Sequence, residues 1–219
     1  METVYKFCVY FIKFFSLSVK WLVATLPVWF ILSHLLMANS VDRPFFILTL
    51  LFLLAFSLIP ATIALFSVVR HWVIHNQQDS IEQGYFYYLK KTYKQSLVIG
   101  LFITIATGIL IVDIVYFSEN QMALFYLFLF VAFAFALYAL CLLITFVHYD
   151  FKLNAYFKKA LLLLLHLKFS VRVILLTAIF IIIGWYSGIF YLAFLSSLYS
   201  YLLFALFYRI YLTSMHLTR

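Results

Sequence analysis

The sequence predicts an all-α fold, a polytopic membrane helical bundle of about six transmembrane helices with cytoplasmic interfacial amphipathic helices. Two observations predict it. Of the 219 residues, 68% are hydrophobic and only 10% are charged, whereas soluble domains run at roughly half and about a quarter. The second observation is charge placement. Of 15 Lys and Arg residues, all but Arg43 flank the apolar runs on the side that a six-span chain keeps in the cytoplasm. Basic residues beside a span resist translocation, so this asymmetry predicts that both the N- and C-termini are cytoplasmic.

The elements follow in order, as one integral membrane domain over 1–219. Lys6, Lys13 and Lys20 are spaced by seven among Phe and Tyr residues, the pattern of a helix lying along the inner leaflet. The first span covers 19–38 and holds Pro27. A short outer connection, Asn39 to Arg43, leads to the second span, 44–69, which holds Pro60, Ala61 and Thr62. Each proline removes a backbone hydrogen bond and can kink its helix. Thr25 and Thr62, two residues away, offer hydroxyls to the freed carbonyls. A kinked hairpin is one reading; a substrate path through opened helices is the other.

The inner connection begins with His71 and His75, whose i, i+4 spacing can place two imidazoles on one metal. Asp79 and Glu82 could complete such a site. A pair contacting lipid headgroups at a basic boundary is the competing reading, and no metal or cofactor is assigned. Asp79 or Ser80 can cap a helix, with Glu82 and Gln83 at capping-box positions. Ile81, Tyr85 and Leu89 then recur at helical spacing opposite Lys90, Lys91 and Lys94. Ser96 opens the third span, 96–117. Its Gly100, Thr104 and Gly108 form a line of small residues suited to close helix packing, assigned within the chain. Asp113 sits near its outer end, either paired with His34 or solvated at the interface.

A tight turn, Ser118 to Gln121, precedes the fourth span, 122–147. Phe151, Tyr156, Phe157 and Leu161 then oppose Lys152, Lys158 and Lys159 in a further basic amphipathic segment. The fifth and sixth spans, 171–186 and 189–212, part at Gly184 and the Ser187-Gly188 pair. Aligning Ser18, Ser96 and Ser170 suggests three repeated helical hairpins, each entered through an interfacial helix. Trp21, Trp72 and Trp185 fit an aromatic belt at the membrane surfaces.

Several function classes recede. The net charge of +8 is accounted for by orientation and by anionic lipid headgroups, so nucleic acid is not an expected partner. Cys8 and Cys141 provide neither a disulfide framework nor a CxxC pair. The deep parts of the spans contain no ionisable residue, which argues against a proton-coupled carrier. Nothing assembles a catalytic constellation, and the chain is read as a non-enzyme.

Three stretches together resemble the YesL-like family of bacterial integral membrane proteins. They are Leu22-Val-Ala-Thr-Leu-Pro27; Ile59-Pro-Ala-Thr-Ile-Ala-Leu-Phe66 with the following Ser67-Val-Val-Arg-His-Trp72; and Tyr85-Phe-Tyr-Tyr-Leu-Lys-Lys-Thr-Tyr-Lys-Gln-Ser96. The sequence departs from the family pattern at Ser18, often Asn; at Ile59, commonly Gly; and at Thr92-Tyr93, usually Asn-Phe. The resemblance implies a bacterial plasma-membrane protein of a family without an established activity. It also implies association with carbohydrate utilisation systems, including ABC importers. Without a Walker A loop or a Glu-Ala-Ala coupling loop, the chain does not read as the importer's ATPase or permease. The expected role is an accessory subunit of an oligosaccharide importer. An autonomous small transporter or channel for a carbohydrate-derived solute is the alternative, and a homo-oligomer is compatible with either.

Overall fold

The computed structural model describes residues 2–39, 41–74, 84–149, 153–187 and 195–217. All regular structure among them is helical. Helix α1 runs Glu2–Met37. The second span is three pieces end to end: α2 (Arg43–Leu53), a π-helical turn (Leu54–Leu58) and α3 (Ile59–Ile74). Then come α4 (Tyr85–Asn120), α5 (Met122–His148), α6 (Leu153–Leu165), α7 (Leu167–Ser187) and α8 (Ser196–Leu217). Five stretches are long and apolar enough to cross a membrane: Cys8–Met37, Arg43–Ile74, Tyr85–Glu119, Met122–His148 and Leu167–Tyr186. The predicted sixth span begins outside the described residues, and its remainder is α8.

Two of the three predicted interfacial helices are not separate elements. The N-terminal basic segment is the first part of α1, and Tyr85–Gln95 is the first part of α4. Neither junction contains a Gly or Pro to interrupt the backbone hydrogen-bond ladder, so each helix continues without a break. At 36 residues each, they extend about 54 Å, well beyond a hydrocarbon core of about 30 Å. The third basic segment does form its own helix, α6, and it ends in an elbow at His166. There the Phe169 N–H donates to the ring Nδ1 of His166 at 3.3 Å. The Ser170 N–H donates to the His166 carbonyl at 3.1 Å, so this residue caps α7.

Helix α3 is the centre of the bundle, packed by α1, α4, α5 and α8. Ile63, Ala64 and Val69 of α3, Ile99 of α4, Leu142 and Ile144 of α5, and Leu203 and Phe204 of α8 are fully buried. Since lipid is as apolar as these side chains, close packing and hydrogen bonds must hold the helices together. First and last helices meet through a serine cluster. Ser18 Oγ donates to Ser197 Oγ at 2.8 Å and accepts from Ser196 Oγ at 3.0 Å, while Ser197 Oγ donates to the Phe14 carbonyl at 2.8 Å. The three serines of the proposed repeat thus have unlike partners: Ser18 bonds across to α8, Ser96 to the Tyr93 carbonyl of its own turn, and Ser170 to the Leu164 carbonyl.

The small-residue line on α4 is used within the chain. A Cβ on Gly100 would stand 2.7 Å from the carbonyl oxygen of Ala55 in the π turn, whereas one on Gly108 would stand 3.5 Å from a methyl of Leu51. Gly100→Ala is therefore expected to lower stability by about 1–3 kcal/mol through backbone displacement. Gly108→Ala should be nearly neutral. Thermal unfolding of the detergent-solubilised variants checks the pair, and a Gly100→Ala variant as stable as the parent would show that α4 does not approach so closely.

Candidate functional site around Pro60 and the basic end of the bundle

Pro60 has no N–H to donate to the turn before it. The chain answers this in two ways. The preceding turn widens to π geometry, a form that recurs at functional sites. The carbonyl of Phe56, four residues before Pro60, accepts instead from the Tyr93 hydroxyl of α4 at 3.1 Å. Two turns away on α4, the buried Tyr85 donates its hydroxyl to the Ala61 carbonyl at 3.2 Å. Helices α3 and α4 are thus joined by two phenol-to-backbone bonds on either side of Pro60.

Helix α1 joins the same junction. Ser57 Oγ donates to the Ala24 carbonyl at 2.8 Å, and the Trp21 indole Nε1–H donates to Thr62 Oγ1 at 3.3 Å. Thr25 Oγ1 accepts from Trp29 Nε1 at 3.1 Å. The two threonines do not cap the carbonyls freed by the prolines, as the spacing suggests. Thr62 donates to the Leu58 carbonyl and Thr25 to the Trp21 carbonyl, each one turn back on its own helix. Geometry is the reason: a threonine hydroxyl reaches its own i−4 carbonyl more readily than one beside it. Pro60 and Ala61 are buried, while Pro27 is exposed on α1.

Trp21 and Trp72 depart from the expected aromatic belt. They are only 8% and 5% exposed, Trp21 held by Thr62 and Trp72 edge-on to the Phe14 ring at 5.4 Å. Trp185, at 86% exposed, faces outward. The Asp113–His34 pairing does not form. His34 Nδ1 is bonded to the Phe30 carbonyl at 2.9 Å, and the imidazole lies against Phe30 and Phe46. Asp113 instead edges an apolar groove of about 690 Å³ between α2 and α4, bordered by Leu51, Ala55, Thr104 and Gly108.

At the other end of α3 the chemistry changes. A polar cavity of about 260 Å³ opens between α3, α4, α5 and α6, and Arg70, His71, Lys91 and Gln95 are among the residues lining it. His75, the other half of the histidine pair, lies outside the described residues. Among the described residues, no three metal-ligating side chains gather at one point. Lys90 and Lys94 are exposed outside the cavity, and Ser96 is buried one turn beyond. Nearby, Lys159 rests over the Tyr149 ring at 5.8 Å. Burial, then the neighbouring Tyr211, raises that phenol above its ordinary range, so the ring presents a neutral π face to the ammonium.

Sequence reasoning found Pro60, Thr62, His71 and Lys91 but not the tyrosines, Ser57 or Arg70 as partners. Their signal was available in part: Tyr85 and Tyr93 are eight residues apart, hence on one face of a helix.

Residues 14–114 match the model of a family described as "Protein of unknown function, DUF624". The uncharacterized protein YesL of Bacillus subtilis (strain 168) is 30% identical over 103 residues, 47% of this chain and 49% of that protein. The chain therefore matches about half the length of that curated relative. No solved structure matches. All three stretches that carry the resemblance fall within the matched residues, and they are the stretches that meet around Pro60.

The Tyr93 bond is expected to matter through Pro60. Tyr93→Phe should cost about 1–3 kcal/mol by leaving the Phe56 carbonyl unsatisfied. In a Pro60→Ala background, a backbone N–H is restored and the same change should cost less. A double-mutant cycle on thermal unfolding measures the coupling; additive effects would separate Tyr93 from Pro60.

Proposed function

We propose that this chain, which is similar over residues 14–114 to the DUF624 family and to YesL, is an accessory membrane subunit of an oligosaccharide importer. It lies in the bacterial plasma membrane with both termini cytoplasmic. One observation carries the reading. At mid-bundle, α3 is packed by four helices, and Ser57, Thr62 and Tyr93 there are bonded to neighbouring helices or their own backbone, with the buried Thr104 hydroxyl the unpartnered exception beside Ala55. The polar cavity lies instead at the basic end. This arrangement suits a chain that works through its cytoplasmic face rather than by passing a solute through its centre. The link to carbohydrate uptake rests on the family resemblance.

An autonomous carrier is the second reading, favoured by the π turn beside Pro60, where a helix is already open. Isolation of the tagged full-length chain in mild detergent distinguishes the two. The accessory reading expects importer subunits to co-purify, identified by mass spectrometry. Recovery of only the monomer or a homo-oligomer, with solute flux in proteoliposomes that is lost in Pro60→Ala, would favour the carrier.

Orientation has its own measurement. Cys8 is an exposed thiol near the N-terminus, whereas Cys141 is buried. A membrane-impermeant maleimide should label Cys8 in inverted vesicles and not in intact cells; the reverse pattern would place the basic end outside.

A further inference from the structure

We propose that the cavity between α3, α4, α5 and α6 is a binding site for a phosphate-bearing anion. The inference is independent of any importer partner, because it concerns only what lines this space.

The lining combines Arg70, Lys91 and His71 with no carboxylate among the described residues. Arg70 is half-buried, and its Nε–H is shut away from solvent without a hydrogen-bond partner. A buried guanidinium donor with nothing to accept from it is costly, and an anion removes that cost. The neighbouring hydroxyls do not accept from this Nε–H, and their own protons are already used. Ser67 donates to the Ile63 carbonyl, Thr92 to the Tyr88 carbonyl and Tyr156 to the Tyr149 carbonyl. Nitrogen donors in the lining include those of Arg70, Lys91 and the Gln95 amide. A site with two cationic side chains and no carboxylate among the described residues selects an anion over a cation or a neutral sugar.

Phosphate fits this set well. A guanidinium fork matches two oxygens of a phosphoryl group, and an ammonium supplies a second, adjustable charge. Lys91 is held at the rim, 5.8 Å over the Tyr87 ring. Phe146 and Val147 form an apolar wall, which limits the screening of the charges by water. The volume of about 260 Å³ is many times the ~10–15 Å³ that one water needs. The phosphoryl group could belong to an anionic lipid headgroup at the membrane surface or to a soluble phosphate compound.

Two arms of one experiment separate these sources. The full-length chain is placed in phosphatidylcholine nanodiscs and titrated with inorganic phosphate, followed by ³¹P NMR. In parallel, nanodiscs containing phosphatidic acid are analysed by native mass spectrometry for retained lipid. Saturable binding of one anion per chain is expected in at least one arm. Arg70→Gln and Lys91→Gln should each weaken it roughly tenfold, the scale of one lost charge-assisted hydrogen bond. Lys94→Gln, outside the cavity, should leave it unchanged. Phosphate binding alone identifies a soluble ligand, and lipid retention alone a headgroup; either supports the site. Absence of binding in both arms overturns it, as does binding undiminished in the Lys91→Gln variant, which alters an exposed rim position and decides the matter should Arg70→Gln not fold.

Discussion

The bond from Tyr93 to the Phe56 carbonyl is the contact on which the bundle's geometry depends. A proline in a membrane helix leaves a carbonyl that cannot turn to water, and an unsatisfied carbonyl in hydrocarbon costs several kcal/mol. Once the π turn presents Phe56 outward to α4, the phenol draws that helix in. The close approach then requires Gly100, whose missing side chain leaves room for the adjoining Ala55 carbonyl. Ser57, carried on the same turn, fixes α1 through the Ala24 carbonyl. One absent N–H thus sets the positions of three helices.

Much of the fold was legible because its signals are local. Apolar run length and the placement of Lys and Arg bound the spans, and five of them recur as long apolar helices. Less legible was where a basic segment ends and a span begins. Amphipathic pattern is the same for a helix that lies along a surface and for one that continues straight into the bundle; only breakers distinguish them, and α1 and α4 have none at the junction. The elbow at His166 shows the converse, a helix end made by a side chain without any Gly or Pro.

The site was legible as a set of stretches rather than as contacts. Pro60 and its neighbours stand out by composition, since proline is rare inside apolar spans. Their partners do not, because Tyr93 is one of 17 tyrosines and its role depends on a helix crossing. Trp21 illustrates the same difficulty. Near a span boundary, an indole reads as a surface anchor, yet here its N–H is directed to Thr62 and the ring is buried. Position along the chain specifies depth in a membrane but not which side of a helix faces protein.

The distance in sequence between Pro60 and Tyr93 also has a consequence for biogenesis. When the second span leaves the ribosome, the phenol that will donate to the Phe56 carbonyl has not been made, and it arrives only at the start of the third span. Until then the freed carbonyl must find water or another donor, which hydrocarbon does not supply. The second span is therefore expected to gain its full compatibility with lipid only as α4 packs beside it, which would couple the insertion of this hairpin to that of the helix after it.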